Sequence, residues 1–377
     1  MQPDGDASIT LFLCGDVMTG RGIDQALPHA GSAELYERYV RSATGYVDFA
    51  EQANGPIPRP VGFAYPWGDA LVELERRSPD ARIINLETTI TSSDDYRKGG
   101  RIHYRMHPDN VACLTAADID CCVLANNHML DWGYAGLLQT VKTLRGVRVA
   151  TAGAGRDRTE AEAPAILPIP GKGRVIVLAF GSTTSGIPRG WAAAENRPGV
   201  NLLEDLSAAT ARRIARTVQR VKRPGDVIVA SIHWGDNWGY AIPAEQRAFA
   251  HALIDDAAID VVHGHSSHHP KGMEVYKERL ILYGCGDFLN DYEGIGKHEE
   301  FRGDLALMYF VSMDARTGRL SRLDLVPLRI RRFRLQRASR EEAQWLGDLL
   351  DREGKAWGLR TRLNDDGALS AQWGTQG

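Results

Sequence analysis

Residues 259–269 read IDVVHGHSSHH, a β-branched apolar run that breaks abruptly into histidines. The segment 259–263 has the composition of a buried strand, and glycine with polar residues bounds it on the carboxyl side. Four other apolar runs end the same way. Residues 9–14 give way to Gly15 and Asp16, and 82–86 carry Asn85 and run into Glu87. Residues 121–125 are followed by Asn126, Asn127 and His128, and 227–232 lead to His233, Trp234 and Gly235. In open α/β sheets the functional crevice lies beyond the carboxyl ends of the strands. Separate strand ends therefore deliver carboxylates, amides and imidazoles to one place. A lone strand-end Asp is more often a cap or a turn residue, and a lone His more often a satisfied core side chain. All five clusters in one register are far harder to place by chance, and the histidines at 263, 265, 268 and 269 form a short tract of the kind that binds metal.

Working outward, further strands are expected at 175–180 and 280–283, and helices at 135–144, 207–221, 243–256 and 340–353. The last helix has Ser339 and Glu342 in capping-box spacing. A hairpin is expected over 305–313 and 319–328, turning at 314–318. Strands alternating with helices make the fold class α/β. With no internal repeat and no low-complexity linker, residues 1–377 read as a single domain. Two segments read as insertions, the aromatic-rich 25–67 and the charged 92–108, and residues 339–377 read as a C-terminal helical segment. Long connections in compact domains are often lids or binding loops.

Composition narrows the function. A hydrophobic share of 43% allows a sizeable core, and a net charge of −3 excludes a dedicated nucleic-acid binder. The run Arg329, Arg331, Arg332, Arg334, Arg337 and Arg340 is the local exception; it reads first as a strand leading into a solvated segment, and second as a means of holding an anionic substrate. The polar start MQPDGDAS shows no signal peptide, and no stretch approaches the length of a spanning helix, so a cytoplasmic protein without a membrane anchor is expected. The five cysteines form no CxxC pair, and Cys14 and Cys285 read as reduced core thiols. Oligomeric state is left open. Oxygen and imidazole donors suit a divalent Mn, Fe, Co, Ni or Zn ion rather than calcium.

The stretches GDVMTGRG (15–22), NLETTIT (85–91), LANNHMLDWG (124–133), SIHWGDNWGY (231–240), HGHSSHHPKGMEVY (263–276) and LILYGCGDFLND (280–291) resemble the CapA family, named for poly-γ-glutamate capsule synthesis and itself similar to calcineurin-like metallophosphoesterases. The resemblance implies a metallo-dependent-phosphatase-like αββα sandwich, two mixed sheets flanked by helices, with the metal above the strand ends. It implies Asp16, Glu87, Asn127, His233, His265 and His268 as the ligands. Two departures bear on the metal count. Met18 stands where a phosphoesterase has a ligating His, and the last two histidines are three residues apart instead of two. One metal and two are both open.

Three reactions are compatible with such a site: phosphoester hydrolysis, γ-glutamyl amide ligation or hydrolysis, and Cα epimerisation. CapA-like proteins in lasso-peptide pathways epimerise the C-terminal residue of a precursor. The missing anchor, the eroded ligand set and the aromatic insertions favour that last branch, with a peptide or small anionic molecule as substrate. For proton transfer the first candidate is His128 with Asp131, a pairing that orients an imidazole. His269, Asp236, Glu293 and Asp287 are candidates for a second base. Arg21, His103, Trp234 and Trp238 are candidates for substrate contact.

Overall fold

In the computed structural model of this protein, residues 8–99, 102–296 and 298–374 are described. Residues 1–7, on which the reading of the polar start rests, lie outside them. The chain first lays down four strands, β1 (Ser8–Val17), β2 (Ala81–Leu86), β3 (Cys121–Val123) and β4 (Ala150–Ala152), side by side and parallel. It then leaves this sheet and starts a second with the antiparallel pair β5 (Ala165–Ile169) and β6 (Gly173–Gly181). Two parallel strands follow, β7 (Asp226–His233) and β8 (Val261–His265), and then the hairpin β9 (Met273–Tyr276) and β10 (Arg279–Leu282), whose second strand runs parallel to β8. Returning to the first sheet, β11 (Asp287–Leu289) lies parallel to the end of β1 and β12 (Leu305–Asp314) antiparallel to its first part, both on the flank opposite β2. The hairpin partner β13 (Leu320–Ile330), the short β14 (Leu335–Arg337) and a last hairpin, β15 (Arg360–Leu363) with β16 (Leu369–Gln372), complete it. The two sheets have ten and six strands.

Side-chain alternation builds the layers. In the first sheet, Leu11, Leu13, Ile83 and Val311 face Val175, Val177, Val227 and Leu280 of the second, forming the core between the sheets. Their neighbours Phe12, Cys14, Ile84 and Phe310 point the other way, onto Leu74 of the helix Asp69–Arg77 and Leu137 of the helix Gly133–Gly146. On the far side, Ile176, Leu178, Ile228 and Ala230 pack on Ile214 of the helix Ala208–Val221 and Phe249 of the helix Ala244–Ala257. The order helix, sheet, sheet, helix is the sandwich the resemblance implied. Both faces of each central strand are buried, so a one-residue slip would exchange two complete core surfaces, and the register is tightly specified.

Three features differ from the sequence reading. First, β1 extends to Val17, so Asp16 lies inside the ladder, opposite Asn85 and Asp287. The reason is steric: a Cβ at Gly15 would sit 1.6 Å from the carbonyl oxygen of Gly286, and only glycine lets the two backbones meet. Second, residues 339–377 are not helical throughout. The helix Arg340–Gly354 has the expected Ser339–Glu342 capping box, but the chain then turns through Gly358 and pairs as the β15–β16 hairpin. Gly367, at φ +77°, supplies the turn, a signal present in Asp365-Asp366-Gly367. Third, the segment 25–67 carries a helix, Thr44–Asn54, and buries Trp67, whose Nε1 donates to the Cys113 carbonyl. Among the described residues all five cysteines are free and buried, and no helix is long and apolar enough to cross a membrane.

Candidate metal centre

The registers above place the carboxyl ends of β1, β2 and β3 from one sheet against those of β7 and β8 from the other. Asp16, His233 and His265, all buried, each offer one donor atom within 4.8 Å of the other two. His233 and His265 are direct neighbours across the β7–β8 ladder, and their Nδ1 atoms lie 2.8 Å apart.

Which of those nitrogens carries a proton follows from their partners. His263 Nε2 sits 2.7 Å from the Cys14 carbonyl, which only accepts, so His263 is protonated at Nε2 and bare at Nδ1. Ser231 Oγ, 3.0 Å from that bare Nδ1, donates to it and accepts from His265 Nε2 at 2.9 Å. His265 Nδ1 is therefore bare. His233 Nε2 donates to Asn127 Oδ1 at 2.6 Å, which leaves its Nδ1 bare as well. Two lone pairs thus face each other. Adding a proton between them is opposed, since burial first, and then neighbouring histidines, hold both imidazoles well below their ordinary range. A cation that accepts both lone pairs resolves the conflict.

The carboxylates point to the same answer. Asp16 accepts from Asn85 Nδ2 at 2.8 Å and from the Ser266 amide at 3.2 Å, and lies 3.8 Å from His265 Nδ1. Glu87 lies 3.6 Å from His128 Nε2 and 3.9 Å from His233 Nε2, and its Oε2 is buried without a partner. Burial, then the neighbouring Asp287, pushes Asp16 up to about 6; burial, then Asp16, holds Glu87 well above the usual carboxylate range. Buried, mutually repelling carboxylates beside bare imidazole nitrogens are a donor set that fits a divalent transition metal. The residues that would hold it are Asp16, His233 and His265, with Glu87 and Asn127 at its edge.

His268 is placed differently from the other expected ligands. Its Nδ1 bonds Asp287 Oδ1 at 2.8 Å and its Nε2 accepts from Asn237 Nδ2 at 2.8 Å, so both nitrogens are engaged by protein groups. Burial opposes protonation of this ring, but Asp287 outweighs it and raises the pKa. At position 18 the Met18 thioether accepts from Tyr292 Oη at 3.5 Å. His128 bonds Asp131 Oδ2 through Nδ1 at 2.7 Å, and the same oxygen accepts from the Tyr104 amide at 2.8 Å. That arrangement keeps the His128 proton on Nδ1 and leaves Nε2 bare toward Glu87.

The other sequence-selected residues take varied positions. Arg21 is buried behind the centre, bonded to Asp291, Glu37 and Tyr46 and lying 4.4 Å over the Tyr104 ring. Trp234 is a core residue whose Nε1 donates to the Tyr283 carbonyl. Trp238 lies 5.2 Å from the His268 ring and stacks on His298 at 4.3 Å. His103 donates through Nε2 to the Arg97 carbonyl. His269 is stacked on Phe301, bonds the Pro270 carbonyl and is pushed down to about 4, chiefly by burial. Glu293 accepts from the amides of Arg332 and Phe333, and Asp236 is exposed. Of the four candidates for a second base, only Asp287 is tied to an expected ligand by a hydrogen bond. Asn85 and His263 belong to the strand-end clusters read from the sequence but were given no role of their own, and Ser231 was not anticipated. Ser231 had a signal, because at two residues before His233 it shares that strand face.

A pH-dependence follows. Asp16 binds its proton more tightly folded (about 6) than at its ordinary 3.8, so the metal-free fold loses stability as pH rises through that window. Metal binding needs the deprotonated carboxylate and gains over the same window. The melting temperature of metal-loaded protein minus that of chelated protein should therefore widen from about pH 4 to pH 6 and level off above. A flat difference would remove Asp16 from the ligand set.

Known proteins resemble this chain over most of its length. Residues 10–292 match the family described as bacterial capsule synthesis protein PGA_cap. A probable polyglutamine synthesis accessory protein of Mycobacterium tuberculosis is 49% identical over 362 residues, covering 96% of this chain and 95% of that one. A capsule biosynthesis protein CapA of Bacillus anthracis is 25% identical, covering 85% of this chain and 67% of the relative. Among solved structures, a novel phosphatase of Mycoplasma pneumoniae overlaps 85% of this chain and 93% of its own with a TM-score of 0.46 at 12% identity. The fold assignment rests on the strands and layers themselves rather than on that overlap. With three quarters of its length matched, this chain belongs to the bacterial capsule synthesis (PGA_cap) family.

Proposed function

We propose that the chain is a metal-dependent enzyme that cleaves or transfers glutamyl amide bonds in an anionic polyglutamyl chain. The observation that carries this is the pair of facing Nδ1 lone pairs on His233 and His265 beside Asp16 and Glu87, with the bare Nε2 of His128 at their edge. A divalent ion bound there supplies Lewis acidity toward a carbonyl oxygen. His128 supplies the proton transfer. Asp131 fixes its Nδ1–H, so Nε2 is free to take a proton from an attacking water or amine and return it to the departing nitrogen as the C–N bond breaks. The names of the relatives, capsule and polyglutamine synthesis proteins, support a glutamyl polymer as the substrate class.

Cα epimerisation needs a second exchanging group on the opposite face of the substrate. Glu293 is engaged by the Arg332 and Phe333 amides and Asp236 is exposed, which weighs against that reading, while His269 keeps a buried Nε2 without a hydrogen-bond partner. One experiment separates the reactions. Metal-loaded protein is incubated in D₂O with γ-linked and α-linked glutamyl oligomers and, separately, with an aryl phosphate. New amine ends and masses changed by whole residues are expected. Deuterium at Cα with chain length preserved would establish epimerisation instead, and robust phosphate release would establish a phosphoesterase.

A further inference from the structure

A cavity of about 420 Å³ opens beside the centre. On the near side its wall is Trp238, Asn290 and Tyr292, and all three touch the His268 group. The rings of Trp238 and Tyr292 lie 5.2 and 5.5 Å from His268, and Asn290 Nδ2 donates to Asp287 Oδ2 at 2.9 Å. On the far side the wall is formed by Arg302 and Arg329. These two guanidiniums are held from behind by Asp304 and Glu342, yet Arg302 Nη1 and Arg329 Nη2 take no partner among the described residues. Just beyond, the chain turns through Arg331 and Arg332, whose side chains have no carboxylate partner among the described residues, and the buried Arg332 Nε has no hydrogen bond.

The conformation of that turn is imposed. Arg332 and Phe333 sit at φ +56° and +55°, a region that side-chain-bearing residues avoid, and they are kept there by Glu293, a wall residue of the cavity that accepts both their amides. Strain at non-glycine residues persists where the surroundings over-determine it, which is typical of ligand clamps. Cations therefore run in series from the cavity wall outward, while the opposite wall adjoins the His268 group. Fixed guanidinium forks match carboxylates bidentately, and a series of them matches carboxylates that repeat along a chain.

We infer that this cavity and its arginine rim seat the free carboxylates of a polyglutamyl chain on one side of the bond being processed. The inference rests on the glutamyl reading above but is testable apart from it. The probe is a dye-labelled γ-glutamyl decamer, titrated by fluorescence anisotropy into the full-length, metal-loaded protein at low and moderate salt. The double variant Arg331→Gln/Arg332→Gln should bind about tenfold more weakly, the scale of one lost charge-assisted contact, and with a shallower salt dependence. Its metal content, and its rate on a γ-glutamyl dipeptide too short to reach the rim, should equal the wild type. Arg329→Gln, in the cavity wall, should weaken decamer binding likewise. Affinity within about twofold of wild type in both variants, or no binding of the decamer to the wild type, overturns the inference. Decamer binding that is lost in the variants, with no oligomer cleaved by the wild type, upholds the cleft and sinks the reaction proposed above. Dipeptide cleavage with no decamer binding does the reverse.

Discussion

Asp16→Asn is expected to purify with less than about a tenth of the metal held by the wild-type chain, with activity lost in proportion. Removing even an outer partner of a metal ligand commonly costs 10- to 100-fold in affinity, and a charged ligand should cost at least about 100-fold. The substitution is nearly isosteric, and the amide oxygen can still accept from Asn85 Nδ2 while only the longer bond from the Ser266 amide is lost, so the fold should survive. In the absence of metal, the variant should even be the more stable of the two near neutral pH. The wild type keeps a buried carboxylate whose pKa is raised to about 6, and Asn removes that penalty. Metal analysis and paired melts with and without chelator read both effects. Full metal content in Asp16→Asn would show that the ion, if bound, is held elsewhere.

His128→Ala should separate binding from chemistry. The imidazole reaches Glu87 only at 3.6 Å and its own Nδ1 is committed to Asp131, so its loss should leave metal content within about twofold of wild type. A positioned acid/base contributes typically 10²- to 10⁴-fold, and kcat is expected to fall by about that much. Asp131→Asn is the sharper companion. An amide that donates to Nδ1 would drive the ring to the other tautomer, with its proton on Nε2, and rate should fall by a comparable factor while the side-chain volume is unchanged. If His128→Ala retains full activity, proton transfer belongs to another group and the mechanism proposed for the glutamyl bond fails with it.

The strands that carry the site were legible because each combines a β-branched apolar run with an abrupt polar end. That contrast survives any uncertainty of a residue or two in strand length. The two-sheet division was not legible in the same way. Val175–Val177 and Leu11–Leu13 look alike as sequence, and only the resemblance distinguished a second sheet from a continuation of the first. The β15–β16 hairpin was masked by the strong helix ahead of it. Within the site, strand ends pointed to Asp16, His233 and His265, while the expectation for His268 came from the histidine tract and the resemblance. Asp287, reached only after the chain has returned from the second sheet, engages it, and no local pattern around residue 268 announces a partner 19 positions on. Glu293 and His269 show how far sequence proximity to a site leaves a residue's bonds open: Glu293 accepts from two backbone amides and from Asn54, and His269 bonds the Pro270 carbonyl.

The first sheet is written in two instalments. Its central strand, β1, is flanked on one side by β2 and on the other by β12, with the whole second sheet made in between. During synthesis Ser8–Val17 therefore emerges with half of its hydrogen-bonding edge and much of its apolar surface unanswered, and must wait until Leu305–Asp314 has been made. Pairings so distant in sequence are slow to form and leave strand edges exposed to misassembly. The Gly15–Gly286 contact that seats Asp16 is among the pieces that come late. A truncation before β12 would thus be deprived of a partner for its own first strand rather than simply shortened.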